Sequence, residues 1–436
     1  MHSDCCHILC FVRVYPWLKN DSIVKSHSTG FLAIAQLLVG TFLLAMVLRT
    51  WLVMGLIEPV TVAGSSMAPT LLGPHVSVPC DRCQHRFDVG ADFAAESDNA
   101  ECPQCGFREN LLAELPLERG DRMVIDRTAF LARRLQRWEP VVFVSPEDEG
   151  NLVVKRVVGL PGETIQLRDG EVLIHGELAR KSLSAQNTLR RLVHSETPLS
   201  SRWRGDGWSW TADSWKCIAK DGWHWLDYVH PTTKPITDDS AYNAGLTRRL
   251  FAVHDLCLSI RLKVAGKGEL AIRMNPGMQD FEFHLNVTSG ECIVTSGGEL
   301  LTQTMLPQAT SLKLQNDEVL LEISSFDQRC TVSLDGVVQL ENEIERPDSE
   351  QANSPAPTFF VGAKDVTVSL RDLQIYRDSY FASHEEMLGF NKPMSEITLS
   401  DGEIFVLGDN GPVSLDSRHW GPLPLRFLVG RPIGVR

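Results

Sequence analysis

The sequence predicts a mainly β protein with one N-terminal transmembrane helix, a four-cysteine ribbon, and an antiparallel β-sandwich set into a second antiparallel β domain. Three observations predict it: an uncharged run, FLAIAQLLVGTFLLAMVL, from Phe31 to Leu48; two C-x2-C pairs between Cys80 and Cys105; and short β-branched runs with period-two alternation that recur after residue 117. The 436 residues suffice for two or three packed domains. A net charge of -13 and the lack of a long basic run exclude nucleic acid as a partner, because neutralising phosphates needs clustered Lys and Arg.

The apolar run resumes after Arg49 and Thr50 and reaches Ile57, so residues 31–57 are expected to span a bilayer. Arg13, Lys19 and Lys25 precede it, whereas residues 50–81 hold no Lys or Arg. That asymmetry places residues 1–30 in the cytoplasm as a tail and everything after about residue 58 outside, in a single pass. A cleaved secretory signal is the competing reading, against which stand the thirty preceding residues and the length of the run. Cys5, Cys6 and Cys10 belong to the tail and read as reduced thiols or, alternatively, acylation sites.

Cys80, Cys83, Cys102 and Cys105 form C-x2-C-x18-C-x2-C within residues 79–106, a spacing that brings four thiolates to one tetrahedral centre and implies structural zinc. Two disulfides are the alternative. An exported location favours them, but a bridge closed inside one C-x2-C pair is strained and redox-active. Cys217, Cys257, Cys292 and Cys330 have no metal spacing and read as buried small apolar residues or disulfide partners.

Beyond the ribbon, RGDRMVIDR, EPVVFV and LVVKRVVGLPGET read as strands joined by tight turns. Lys155 is out of place in LVVKRVVG. Burial there would lower its pKa and make it a general base at neutral pH; alternatively its ammonium faces solvent, as the guanidinium of neighbouring Arg156 would. Upstream, GSSMAPTLLG offers Ser65 and Ser66 as nucleophiles.

In order and wording these segments, with VLGDNGPVSLDSRHWGPLP (406–424), resemble the type I signal peptidases, membrane-bound serine proteases that release secretory preproteins. The resemblance covers residues 31–78, 107 to about 180, and 395–436. By it Ser66, in S-M-x-P-T, is the nucleophile and Lys155, in K-R-x-x-G-x-P-G-E, the general base. Ser414 would orient the lysine, and Asp416 with Arg418 would brace the G-D-N-x-x-x-S-x-D-S-R loop. A neutral amine within reach of a hydroxyl can remove its proton without a histidine, so no cofactor is implied for catalysis. The implied partners are preproteins with small side chains at the first and third positions before the cut, and the lipid bilayer; the implied location is the outer face of a bacterial plasma membrane. Two positions depart from the family. Gly64 stands where some relatives carry a Ser or Thr donor for the oxyanion, and Gly411 where many have Arg. Leu71 and Leu72 are expected to touch the bilayer.

The catalytic domain would then comprise 58–78, 107–184 and 389–436, interrupted by the ribbon and by a sandwich at 185–388. In the latter, Leu256, Leu258, Ile260, Leu262 and Val264 alternate with Cys257, Ser259, Arg261 and Lys263, and similar patterns follow at 281–287, 319–323 and 366–370. The pattern looks like the concanavalin-like jelly rolls of lectin and laminin-G modules. Six tryptophans between 203 and 225 are either platforms for a carbohydrate or protein ligand or core filling. Of two rival functions, a self-cleaving repressor-like protease is opposed by the expected spanning helix and the lack of a DNA-binding basic segment, which leaves an inert membrane-tethered binding protein as the alternative.

Overall fold

The computed structural model describes residues 25–50, 56–131, 133–148, 150–197, 201–231, 234–276, 280–344, 356–390 and 392–434. Cys5, Cys6 and Cys10 therefore lie outside the described residues. The chain divides into two units, Met1–Glu58 and Pro59–Arg436.

In the first unit a helix runs Lys25–Leu48, with described side chains from Ala33 onward. The expected transmembrane span at 31–57 is corrected here. No helix among the described residues is long and apolar enough to cross a membrane. By Ile57 the chain is already in a β-strand, Ile57–Thr61.

The second unit is built of antiparallel sheets. Seven strands follow the order Ile57–Thr61, Arg122–Asp126, Leu428–Ile433, Pro140–Val144, Leu152–Gly159, Glu403–Leu407 and Leu423–Pro424. Three distant stretches of chain thus share one sheet, and what lies between them is carried as excursions. Leu152–Gly159 is central, pairing Val141 with Lys155 on one side and Leu407 with Arg156 on the other. Neighbours on both edges and apolar clusters on both faces bury Lys155 through Gly159 continuously. A four-stranded sheet, from Thr164–Arg168 to Ile397–Thr398, packs its apolar side with Trp138, Phe381 and Phe405.

Residues 191–377 contribute a thirteen-stranded sheet around two long strands, Leu256–Asn275 and Thr358–Arg377, paired end to end from Leu256↔Arg377 to Asn275↔Thr358. The expected inward set Leu256, Leu258, Ile260, Leu262 and Val264 is buried in one apolar cluster. Cys257 and Ser259, on the opposite face, are buried as well, since Arg190 and Glu322 cover them. Trp203, Trp208 and Trp215 belong to the core, while Trp210, Trp223 and Trp225 are half-buried, the last two stacked 5.4 Å apart. Core filling accounts for three of the six. Cys217, Cys257, Cys292 and Cys330 are buried free thiols.

The ribbon region has three strands, Arg86–Gly90, His75–Pro79 and Leu117–Glu118, and a two-stranded piece, Asn99–Ala100 with Asn110–Leu111. Its small core includes Val78, Phe87 and the four cysteines.

Candidate active site

Ser66 opens a turn after Ile57–Thr61 and is half-buried, with Met67 and Ala68 fully buried behind it. The turn is fastened by backbone: Asn410 N–H donates to Ser66 O at 3.0 Å, and Ala68 N–H to Ser65 O at 3.2 Å. Asn410 Nδ2 donates to Ser65 O at 3.0 Å. The Ser66 turn is therefore held by the loop that follows Glu403–Leu407, the neighbour of the Lys155 strand. Gly408 is wedged inside this junction. A Cβ there would come within 2.6 Å of Ser66 O and 2.1 Å of Ser414 Oγ, so no other residue fits.

Lys155 is 2% exposed. Burial pulls its pKa down to about 8; Asp416 and Asp409 oppose that shift, and Arg418 reinforces it. Its ammonium makes no hydrogen bond among the described residues, to Ser66 or to any carboxylate. Both carboxylates in its field are already taken. Asp416 accepts from Arg418 Nε at 2.9 Å, from Arg418 Nη2 at 2.6 Å and from Gly408 N–H at 2.9 Å. Burial pushes the Asp416 carboxyl up, but Arg418 and these donors outweigh it and hold it below the ordinary carboxylate range.

Asp409 is bound still more tightly. Arg156 grips it with Nε and Nη2 at 2.7 and 2.6 Å, Thr70 Oγ1 donates to it at 2.5 Å, and Arg191 stands 3.3 Å away. Burial raises its pKa, yet the arginines bring it down to about 2. Arg156, expected to face solvent, is 1% exposed; it turns inward because its strand is covered on both faces. Through Thr70 the pair also anchors the far end of the Ser66 turn, a role that sequence reasoning missed. The unassigned Asp409 beside Asn410 was its available signal.

Ser414 is buried, and its hydroxyl has no well-formed hydrogen bond; it lies near the Asp416 carboxyl and against Gly408. The structure thus brings Ser414, Asp416 and Arg418 together behind Gly408, on the same loop that holds Ser66. Gly411 is also explained: a Cβ there would sit 3.2 Å from Arg418 Nη1, and its carbonyl accepts from Arg418 Nη2 at 3.2 Å. A larger residue would crowd the brace.

Beside Ser66 opens an apolar groove of about 350 Å³, lined among others by Gly64, Met67, Met123, Val142 and Val154. Leu71, expected at the bilayer, is 2% exposed and lines this groove from the core, so it is not a membrane contact; Leu72 is half-buried.

The four cysteines meet as a cluster, all buried and free, with sulfurs within 4.8 Å of one another. The close pairs run between the knuckles, Cys80 to Cys105 at 3.5 Å and Cys83 to Cys102 at 3.7 Å. Zinc held by four thiolates at about 2.3 Å sets sulfurs roughly 3.8 Å apart, so the residues fit that ion. The two knuckles repeat one turn: Gln84 N–H donates to Cys80 O, and Gly106 N–H to Cys102 O.

The family model described as signal peptidase, peptidase S26, matches residues 113–211 and 332–434. Lys155 and residues 408–418 lie inside those stretches, and Ser66 lies ahead of them. The probable thylakoidal processing peptidase 2, chloroplastic, of Arabidopsis thaliana is 45% identical over 40 residues, 9% of this chain and 11% of that protein. Signal peptidase I V of Bacillus subtilis (strain 168) is 28% identical over 60 residues, 14% of this chain and 34% of that protein. The chain thus spans between about a tenth and a third of the curated relatives' length in these matches. Among solved structures, the carbohydrate binding module CBM66 from Bacillus subtilis aligns with 40% of this chain and 95% of its own at 12% identity and a TM-score of 0.27.

Proposed function

We propose that this relative of the type I signal peptidases is a serine endopeptidase that removes N-terminal signal peptides from preproteins. Ser66 is the nucleophile and Lys155 its general base. The single observation that carries the assignment is a buried lysine with no carboxylate partner, its pKa at about 8, on the strand whose neighbour leads into the loop gripping Ser66.

In this reading the neutral Lys155 amine takes the proton of Ser66 Oγ as the oxygen attacks the scissile carbonyl. The resulting ammonium returns that proton to the leaving amine, and an acyl-enzyme remains on Ser66. The lysine then activates a water that releases the acyl group. Asp416 and Arg418 fix the 408–418 loop, and Ser414 directs the amine. The apolar groove beside Ser66 accepts small side chains of an extended segment and excludes large ones. The four cysteines hold one structural zinc, which supplies folding energy to the ribbon and takes no part in the reaction. Work at a membrane is part of the proposal; a spanning helix is not.

The test is cleavage of a preprotein in detergent by the parent, Ser66→Ala and Lys155→Met. Cleavage by the parent with loss in both variants supports the assignment. An inactive parent, or a Lys155→Met variant that still cuts, overturns it. Metal analysis of the purified protein is expected to give one zinc per chain, and none would remove the metal from the proposal.

A further inference from the structure

We infer that Asn243, contributed by the excursion between the two halves of the proposed catalytic sheet, is a positioning residue for the Ser66 turn; the inference rests on the reading of Ser66 as nucleophile. Asn243 closes a short 3-10 turn, Ala241–Asn243, and is 5% exposed. Its carboxamide faces that of Asn410 in a reciprocal pair. Asn243 Nδ2 donates to Asn410 Oδ1 at 2.7 Å, and Asn410 Nδ2 donates to Asn243 Oδ1 at 2.8 Å.

Asn410 is the residue that grips the nucleophile segment twice, through its N–H to Ser66 O and its Nδ2 to Ser65 O. Its two amide hydrogens are thus divided, one to Ser65 and one to Asn243. Without Asn243, a buried acceptor and a buried donor of Asn410 lose their partners, and its side chain is free to rotate away from Ser65. The same turn is fixed from behind. Tyr242 packs so closely on Gly90 that a Cβ there would lie 2.7 Å from the ring, and Ala241 and Ala244 sit against the ribbon core. The excursion and the ribbon therefore form a backstop from which Asn243 reaches into the site.

A hydroxyl displaced by a fraction of an ångström is a poorer attacking group while the groove that binds substrate is unchanged, so the effect belongs in kcat. The experiment compares the full chain with Asn243→Ala and the isosteric Asn243→Asp, which sets a carboxylate oxygen against Asn410 Oδ1. Preprotein cleavage is read as kcat and KM, and hydrogen exchange is followed by peptide over residues 64–72, 406–414 and the Leu256–Asn275 strand. The inference expects kcat to fall about tenfold in both variants with KM within about twofold. Faster exchange at 64–72 and 406–414 should accompany it, with the long strand still protected. Unchanged kcat with unchanged exchange overturns it, as does a loss of protection that reaches the long strand, which would mark a general loss of folding. If the parent itself does not cleave, the proposed function fails separately, and the exchange at 64–72 and 406–414 alone decides whether Asn243 holds the turn.

Discussion

Lys155 and Lys181 are both buried, 2% and 3% exposed, yet they are opposite kinds of lysine. Lys181 donates to Asp327 and, at 2.7 Å, to Asp378, and lies 5.1 Å from the Trp138 ring centroid. Burial opposes its charge, but the two carboxylates outweigh burial and hold its pKa well above the usual lysine range. Lys155 has acids nearby too, but Arg156 has taken Asp409 and Arg418 has taken Asp416. Burial then prevails, and the pKa falls to about 8. Burial alone does not make a base; it does so where every neighbouring acid is already matched.

The largest effect that can break this comparison is on catalysis. Lys155→Arg keeps a cation of similar length, but a guanidinium does not give up its proton near neutral pH. Cleavage should fall by about 10⁴-fold or more, with the fold intact by circular dichroism. In the parent, kcat/KM should rise with pH and level off above about 8, since only the neutral amine acts as base. A profile centred near 6, or an active arginine variant, would take the lysine out of the mechanism.

Next come the stabilities, which should move in opposite directions. Lys181→Met leaves Asp327 and Asp378 facing each other in the interior and should cost about 3–5 kcal/mol in urea unfolding. Lys155→Met removes a desolvated cation. With a folded pKa of about 8 against 10.5 for the free side chain, it should gain about 3 kcal/mol at pH 7. The sign follows from the protons. Below pH 8 both folded and unfolded chains carry the charge and the folded one is penalised in full; between 8 and 10.5 the unfolded chain holds the extra proton and the penalty fades. The advantage of the methionine variant should accordingly disappear above about pH 10.5. A destabilised Lys155→Met would mean the ammonium has a partner after all.

What was legible in the sequence was what local chemistry writes locally. Cys80, Cys83, Cys102 and Cys105 announce their cluster by spacing, and Lys155 stands out as a charge in an apolar run. The inward residues of Leu256–Asn275 follow from alternation. Arg156 was not legible, because alternation alone sends it outward; only a central strand with both faces covered, and an acid 253 residues away, turns it in. Leu71 misled for the same reason, its apolarity serving the core beneath Ser66 and not a bilayer. The Asn243–Asn410 pair joins residues 167 apart, one of them in a stretch without any catalytic composition, and nothing short of the fold connects them. At the N-terminus, hydropathy located the helix but not its extent.

The smallest expected effect concerns the oxyanion. At Gly64 some signal peptidases place a Ser or Thr donor, and here a Cβ would meet nothing within 4 Å. The position is open toward the groove beside Ser66. Losing an established oxyanion donor costs 10² to 10³ in kcat; a newly added hydroxyl, with no neighbours to orient it, should return less, about tenfold. Gly64→Ser should therefore raise kcat with KM little changed, while Gly64→Ala, which fills the same space without a donor, should not. If both variants gain equally, the benefit comes from a stiffer backbone ahead of Ser66. The site would then be limited by how well its nucleophile is held and not by how its oxyanion is met, which would make the grip of Asn410 the more important half of the machinery.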